Sequence, residues 1–479
     1  MSDAFPPRPS GLGMAHALRF GSDPFGFLRD AREECGDIFS IAMPGDQPRV
    51  VTCDPEHIQT IANLPADAYR MADQAIPLNL GDASLLFLDG ERHRSQHRLL
   101  MPPLHGDHLR SYVPAIEDAT ADAIARWPRG EPFELLGEMK QITLTAICAC
   151  VLGVYRGERI DRLRAITTTW MEGPMTPLAF TLAMMLGAGR VRRFLDRQAE
   201  RSPVGWPNPS PRRRWLPWRR VGDAKSELVA MLAADVAACR EGAAADRTDM
   251  VAMLALARYE DGSPMSTSEV VDQLLTLLVG GYETTANALC WAVHHLLENP
   301  AALRQVREEA ASADDPELTQ RRPFLDACVK ESLRLTPIAP VVNRLLTEPL
   351  KLGEYLIPAG TLLWPCAFLT HAHEGVWDEP AAFRPERFLG ERRPRAHEWF
   401  PFGHGLRRCI GAAFAELEMR IVLTRVLDAL DLEHAERSDP HPFLRGITIS
   451  PRDGLRVVAR PREAAMATPQ IGRCVSMDQ

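Results

Sequence analysis

Along most of the chain the apolar positions recur at helical spacing, and only short stretches read as strand. Residues 266–299 are the clearest case. Ser266-Thr-Ser-Glu269 forms a capping box. Val270, Val271, Leu274, Leu275, Leu278, Leu289, Val293, Leu296 and Leu297 follow on one helical pattern, and Pro300 marks its stop. Such a helix is about 50 Å long at 1.5 Å per residue, enough to span a whole domain. Helices are also predicted over 91–100, 107–127 and 134–152, from Pro55 onward, after Gly411, and over 160–200 with breaks at Gly173-Pro174 and Pro177. Residues 36–53 read as short strands broken at Pro44-Gly45, and residues 350–363 as a small hairpin. The five prolines between 203 and 217 forbid a continuous helix. Residues 202–222 are therefore expected to form a basic loop or linker, whose tryptophans beside arginines could also mark a surface that meets a membrane or a partner. The fold class is mainly α with a minor β part.

A prior of roughly 150 residues per domain would divide 479 residues into three. The long central helix argues instead for one large domain over 11–460, between an irregular lead-in at 1–10 and a tail at 461–479. With 46% hydrophobic and 25% charged residues, the composition excludes a disordered chain, a collagen-like repeat and a small disulfide scaffold. The net charge of −8 argues against a nucleic-acid partner. Only residues 140, 225, 330 and 351 are lysine; the other basic residues are arginine. None of the ten cysteines forms a C-x-x-C pair, and several sit in apolar runs, as Cys148, Cys150 and Cys290 do. They read as reduced core thiols of a cytoplasmic protein. No secretory leader, myristoylation glycine or prenylation cysteine is present, and the apolar run Leu274–Tyr282 is far short of the roughly 18 residues a span needs. A protein without a transmembrane anchor is expected.

One cysteine differs. Cys409 lies in Phe402-Gly403-His404-Gly405-Leu406-Arg407-Arg408-Cys409-Ile410-Gly411, followed by a helical pattern from Ala412. A thiol at a helix N-terminus beside arginines is expected to have a lowered pKa and persist as thiolate. Glycines let the backbone turn tightly and leave room for a large flat ligand. The residues alone suggest a nucleophile or a metal ligand, and nothing places His404 as the base a nucleophile would need.

The pattern Phe-x-x-Gly-x-Arg-x-Cys-x-Gly resembles the haem-binding loop of the cytochrome P450 family. Four further segments resemble that family in order and spacing: Gly280-Gly281-Tyr282-Glu283-Thr284-Thr285, Glu331-Ser332-Leu333-Arg334, Phe383-Arg384-Pro385-Glu386-Arg387-Phe388, and His93 to Arg98. The resemblance covers roughly residues 10 to 460. It implies the cytochrome P450 fold, a single large domain enclosing haem b, with Cys409 as axial ligand of the haem iron. Phe402, Gly403 and Gly411 would shape the loop. Arg407 and Arg344 would pair with the propionates. His93 would share that task with His97 or Arg98; the common pattern has arginine where His97 stands, but some fatty-acid-hydroxylating relatives have histidine there, so Arg98 is the weaker partner. Glu331, Arg334 and Arg387 would form a buried structural triad. Thr284 would hydrogen-bond dioxygen or a catalytic water, Glu283 would feed protons, and Gly280 and Gly281 would leave space for oxygen.

The same resemblance places Ile76, Leu78, Leu80, Leu86, Phe87, Val279, Ala339, Val341, Val342, Phe443 and Leu444 at an apolar substrate pocket. The expected reaction is insertion of one atom of O2 into a lipophilic small molecule: a fatty acid, terpenoid, polyketide or steroid. NAD(P)H would act only indirectly, through an external ferredoxin or flavodoxin with its reductase, docking on the Cys409 side near Arg407 and Arg408. The protein is expected to be a monomer. The alternatives are a peroxide-driven peroxygenase, which Glu283-Thr284 disfavours, and a haem sensor or carrier without turnover. Weaker signals are set aside. His93 and His97 have the spacing of a zinc helix, but Arg94 stands where that motif needs glutamate. Gly11-Leu12-Gly13 lacks the strand and third glycine of a dinucleotide loop. His294-His295 reads as a helix surface pair.

Overall fold

The computed structural model describes residues 5–11, 13–41, 48–71, 80–154, 157–172, 190–191, 193–195, 197, 217–243, 247–311, 322–391 and 393–462. The central helix runs from Thr267 to Glu298. Its first turn is closed by the capping box expected from sequence: Ser266 Oγ accepts from the Glu269 amide, and Glu269 returns to the Ser266 amide. Nineteen of its residues are buried, because other helices surround it on most sides. The closest partner is Leu135–Leu152. That helix is long and apolar enough by composition to cross a membrane, but 72% of it is buried against neighbouring elements. The sequence reading passed over it; a buried core helix and a span share one composition.

Five strands form the largest sheet. β1 (Ile38–Ile41) pairs antiparallel with β2 (Arg49–Thr52), and β2 lies parallel to β8 (Leu362–Pro365). β5 (Arg344–Leu346) bridges β8 and β3 (Tyr69–Arg70). The expected 350–363 hairpin is shorter: β6 (Leu350–Leu352) and β7 (Tyr355–Ile357) form it, and residues 362–365 leave it to join the large sheet. Beside the C-terminal end of the central helix, β12 (Arg456–Pro461) pairs with both β4 (Pro132–Glu134) and β9 (Leu430–His434). β10 (Pro442–Arg445) and β11 (Thr448–Pro451) make a separate hairpin.

The expected loop 202–222 is helical from Pro217, in a helix that runs to Ala238. Proline is tolerated there because it opens the first turn. The rest of that loop, the breaks at 173–177, the tail from 463 and the Pro44-Gly45 break lie outside the described residues. His294-His295 is not a surface pair. His295 is half-buried, bonds the Thr336 hydroxyl at 3.0 Å and stacks on Phe383, and burial lowers its pKa to about 3. The polar type of the residue hid a core position.

Candidate functional site

Three backbone features shape the loop that carries Cys409. The Cys409 amide donates to the Phe402 carbonyl at 2.8 Å, the Gly403 amide donates to Phe400 at 2.9 Å, and Gly405–Arg407 makes one tight turn. Gly405 has φ +71°, and a Cβ there would lie 2.3 Å from the Ala62 carbonyl oxygen. Only glycine fits, since both the backbone angle and the space exclude a side chain. Gly411 is then the N-cap of a helix, Ala412–Ala429.

Cys409 is exposed by surface area yet has protein packed around it, because it lines a cleft of about 460 Å³ rather than the outer surface. His93, His97, Arg98, Met101, Leu406 and Arg408 line the same cleft. Burial pushes the Cys409 thiol up from its usual pKa; the Gly411 amide and Arg408 act the other way but lose. The lowered pKa expected from helix start and arginines is therefore corrected. The protein's own groups do not supply enough positive charge, whereas a bound metal ion deprotonates a coordinating thiol outright.

Arg407 and Arg344 are enclosed and lie beside His93, which lines the cleft. Arg407 is nearly buried and donates through Nη2 to the Leu88 carbonyl and to Asp89 Oδ1, each at 2.6 Å. Arg344, on β5, donates to the carbonyls of Asn343 at 2.9 Å and His404 at 3.5 Å and lies over the Tyr69 ring. Burial, with Arg407 nearby, lowers its pKa to about 10. Burial, then Arg407, His97 and Arg344, lowers His93 to about 3, so it is neutral near pH 7. His97 is lowered by burial, His105 and Arg407. Arg98 is turned outward to pair with Glu260.

On the central helix, Gly280 is exposed and a Cβ there would meet nothing within 4 Å. At Gly281 a Cβ would lie 2.7 Å from Ile147 Cδ1. Its smallness lets two helices approach, which corrects its assignment to oxygen space. The Thr284 hydroxyl donates to the Gly280 carbonyl. Glu283 lies 3.6 Å from Lys140 Nζ, which also bonds Glu172 at 3.4 Å, and the Tyr282 hydroxyl donates to Glu172 at 3.3 Å. Glu283 and Thr284 are not among the residues lining the Cys409 cleft.

The structure brings Glu331, Arg334 and Arg387 together. Arg334 holds Glu331 with two bonds, at 2.7 and 2.8 Å, both side chains fully enclosed. Arg387 Nε lies 3.3 Å from Glu331, and Arg334 donates also to the carbonyls of His371, Pro380 and Ala382.

Comparison with known proteins accounts for these parts together. The Cytochrome P450 family model matches residues 6–456. The chain belongs to the cytochrome P450 family. Cytochrome P450 135B1 of Mycobacterium tuberculosis is 33% identical over 475 residues, covering 98% of this chain and 94% of that protein. Cytochrome P450 138 of Mycobacterium bovis is 33% identical over 432 residues, 89% of this chain and 87% of that protein. The solved structure "Retinoic acid bound cyanobacterial CYP120A1" shares the fold, with a TM-score of 0.77 at 23% identity, over 96% of this chain and all of that one. This P450 is thus a haem-thiolate monooxygenase, an oxidoreductase that uses haem and O2.

The residues fit haem. Two enclosed guanidiniums lie beside two imidazoles whose protonation is disfavoured, and one carboxylate, Asp89, pairs with Arg407, leaving donors for the two propionates. Sequence reading missed Asp89. It precedes the helix Gly90–Leu100 like a cap but caps nothing there, bonding Arg407 and the Met71 amide instead. It also missed Lys140, although a lone lysine inside an apolar helix was a legible signal.

At the supposed substrate pocket, Leu80 is fully buried in the core and offers a ligand no surface, which corrects its assignment. Leu86, Phe87, Val279, Ala339, Val341, Val342, Phe443 and Leu444 are half-buried, and Ile76 and Leu78 lie outside the described residues. Arg407, being enclosed and paired, is also corrected as a docking charge; Arg408 and Leu406 are exposed.

Proposed function

We propose that this P450 hydroxylates or epoxidises a lipophilic small molecule, of fatty-acid, terpenoid, polyketide or steroid class. Electrons would come from NAD(P)H through a separate ferredoxin or flavodoxin and its reductase. The observation that carries the reading is Cys409 in a cleft of about 460 Å³ that His93 and His97 also line, with the enclosed Arg344 and Arg407 beside His93. Cys409 would hold the haem iron. Arg344, Arg407, His93 and His97 would hold the propionates; we prefer His97 to Arg98, because Arg98 is already committed to Glu260. When bound, haem supplies activation of O2, with thiolate donation favouring O–O cleavage.

The chain's own residues do the rest. Thr284, bonded back to Gly280, would turn its hydroxyl to a water or to dioxygen. Glu283 would pass it a proton, replenished through Lys140, Tyr282 and the half-exposed Glu172. The half-buried Val279, Val341 and Leu444 offer apolar walls without polar guidance, which suits a lipophilic substrate. Exposed Arg408 beside Leu406 suits an acidic redox partner. We place the protein in the cytoplasm, because its other described cysteines are unpaired and all but Cys35 are buried.

In a reconstituted system, Thr284→Ala is expected to keep NAD(P)H consumption while lowering product per electron pair. Unchanged coupling would contradict the role of Thr284. Full turnover with peroxide and no reductase, insensitive to Thr284→Ala, would favour a peroxygenase.

A further inference from the structure

A second group of ligand-type side chains lies at the far end of the central helix. His294 and Glu298 are one turn apart on that helix, and His434 ends β9. One ligand atom from each lies within 4.8 Å of the others. His434 Nε2 is 3.1 Å from Glu298 Oε1, but not aligned as a hydrogen bond. His294 Nδ1 and His434 Nδ1 are shut from solvent with no hydrogen-bond partner in the protein. No arginine or lysine pairs with Glu298 among the described residues. Asp453, the other carboxylate felt by His294, is committed to Ser438 and to the amides of Asp439 and Leu455.

Buried polar atoms are normally bonded, so His434 Nε2, unbonded beside the Glu298 carboxylate, and the unpartnered Nδ1 of His294 close by call for a ligand. Two imidazoles and a carboxylate suit a borderline divalent ion such as Zn2+ rather than Mg2+. Tetrahedral Zn2+, about 2.0–2.2 Å from each donor, would need the donors roughly 3.3 Å apart. Glu298 and His434 already meet that spacing, and a small rotation closes the remainder, Glu298 being exposed enough to swing. The helix beneath is fixed by the Trp291 indole bonded to the Ile449 carbonyl and by His295 bonded to Thr336.

We propose that His294, Glu298 and His434 form a zinc-type metal site, completed by water, that clips the C-terminal end of the central helix to β9. The site lies apart from the Cys409 cleft and shares no residue with it.

The test uses the haem-loaded protein and Zn2+ itself. Competition against a chromophoric chelator should show one zinc bound per chain, and the melting temperature should rise with zinc concentration by mass action. Mg2+ should do neither. His434→Gln and Glu298→Gln should each weaken zinc binding at least about tenfold, with an unchanged CO-bound reduced spectrum reporting an intact fold. His441→Gln, at another exposed histidine, should bind zinc like the parent protein. Absence of zinc binding, or binding that survives both ligand variants, would overturn the site.

Discussion

Two clusters of carboxylate and cationic side chains, one around Glu331 and one around Glu283, are built differently in this P450. Around Glu331 the contacts are short and two-pronged, the ion pair with Arg334 has no exposed surface, and three backbone carbonyls take the remaining guanidinium donors. Around Glu283 the contacts stretch to 3.4–3.6 Å, and the chain of groups ends at Glu172, half in water. A carboxylate locked by two guanidiniums stays charged and still. One held loosely beside a lysine, with a route to solvent, can exchange a proton. On the proposed reading the first cluster would serve as scaffold and the second as relay.

Arg334→Leu is expected to have the largest effect. It strips the two-pronged partner from Glu331 in the interior and leaves only the longer contact to Arg387, a loss of about 3–5 kcal/mol. Little folded, haem-loaded protein should be recovered; near-normal yield and melting temperature would collapse the contrast. Lys140→Met should act on chemistry more than on fold. It should cost about 1–2 kcal/mol in stability while lowering product per electron pair and raising the solvent isotope effect on turnover. A large stability loss with unchanged coupling would make the second cluster a scaffold too.

Glu418→Met should have the smallest effect and the opposite sign. Glu418 is a third enclosed carboxyl, on the helix after Cys409, and neither oxygen has a partner. Burial raises its pKa well above the usual value, so it stays protonated in the fold while the unfolded chain ionises. The folded state therefore binds the extra proton, and stability falls as pH rises above the usual glutamate range. The methionine variant should be more stable by about 1–2 kcal/mol at pH 8, with little difference near pH 4. Chemical denaturation at the two pH values measures this.

Local pattern made much of this legible. The capping box at Ser266 and the Cys409 loop carry their signals within a few residues, and the elements they predicted are present. Tertiary partners carried no such signal. Arg407 reads as a propionate partner on a docking face, and only the fold brings Asp89, 318 positions away in sequence, against it. Gly281 and Gly280 look alike in sequence; one faces Ile147 and the other faces open space. Leu80 and His295 were misplaced for one shared reason. Residue type reports what a side chain tolerates, and neighbours contributed by distant segments decide what it meets.

The central claim is that Cys409 is the axial ligand, and the CO-bound spectrum of the reduced protein tests it most directly. A thiolate-type band, lost in Cys409→Ala with the fold retained by circular dichroism, is the predicted result. A spectrum typical of histidine ligation, or a thiolate-type band that survives Cys409→Ala, would contradict it.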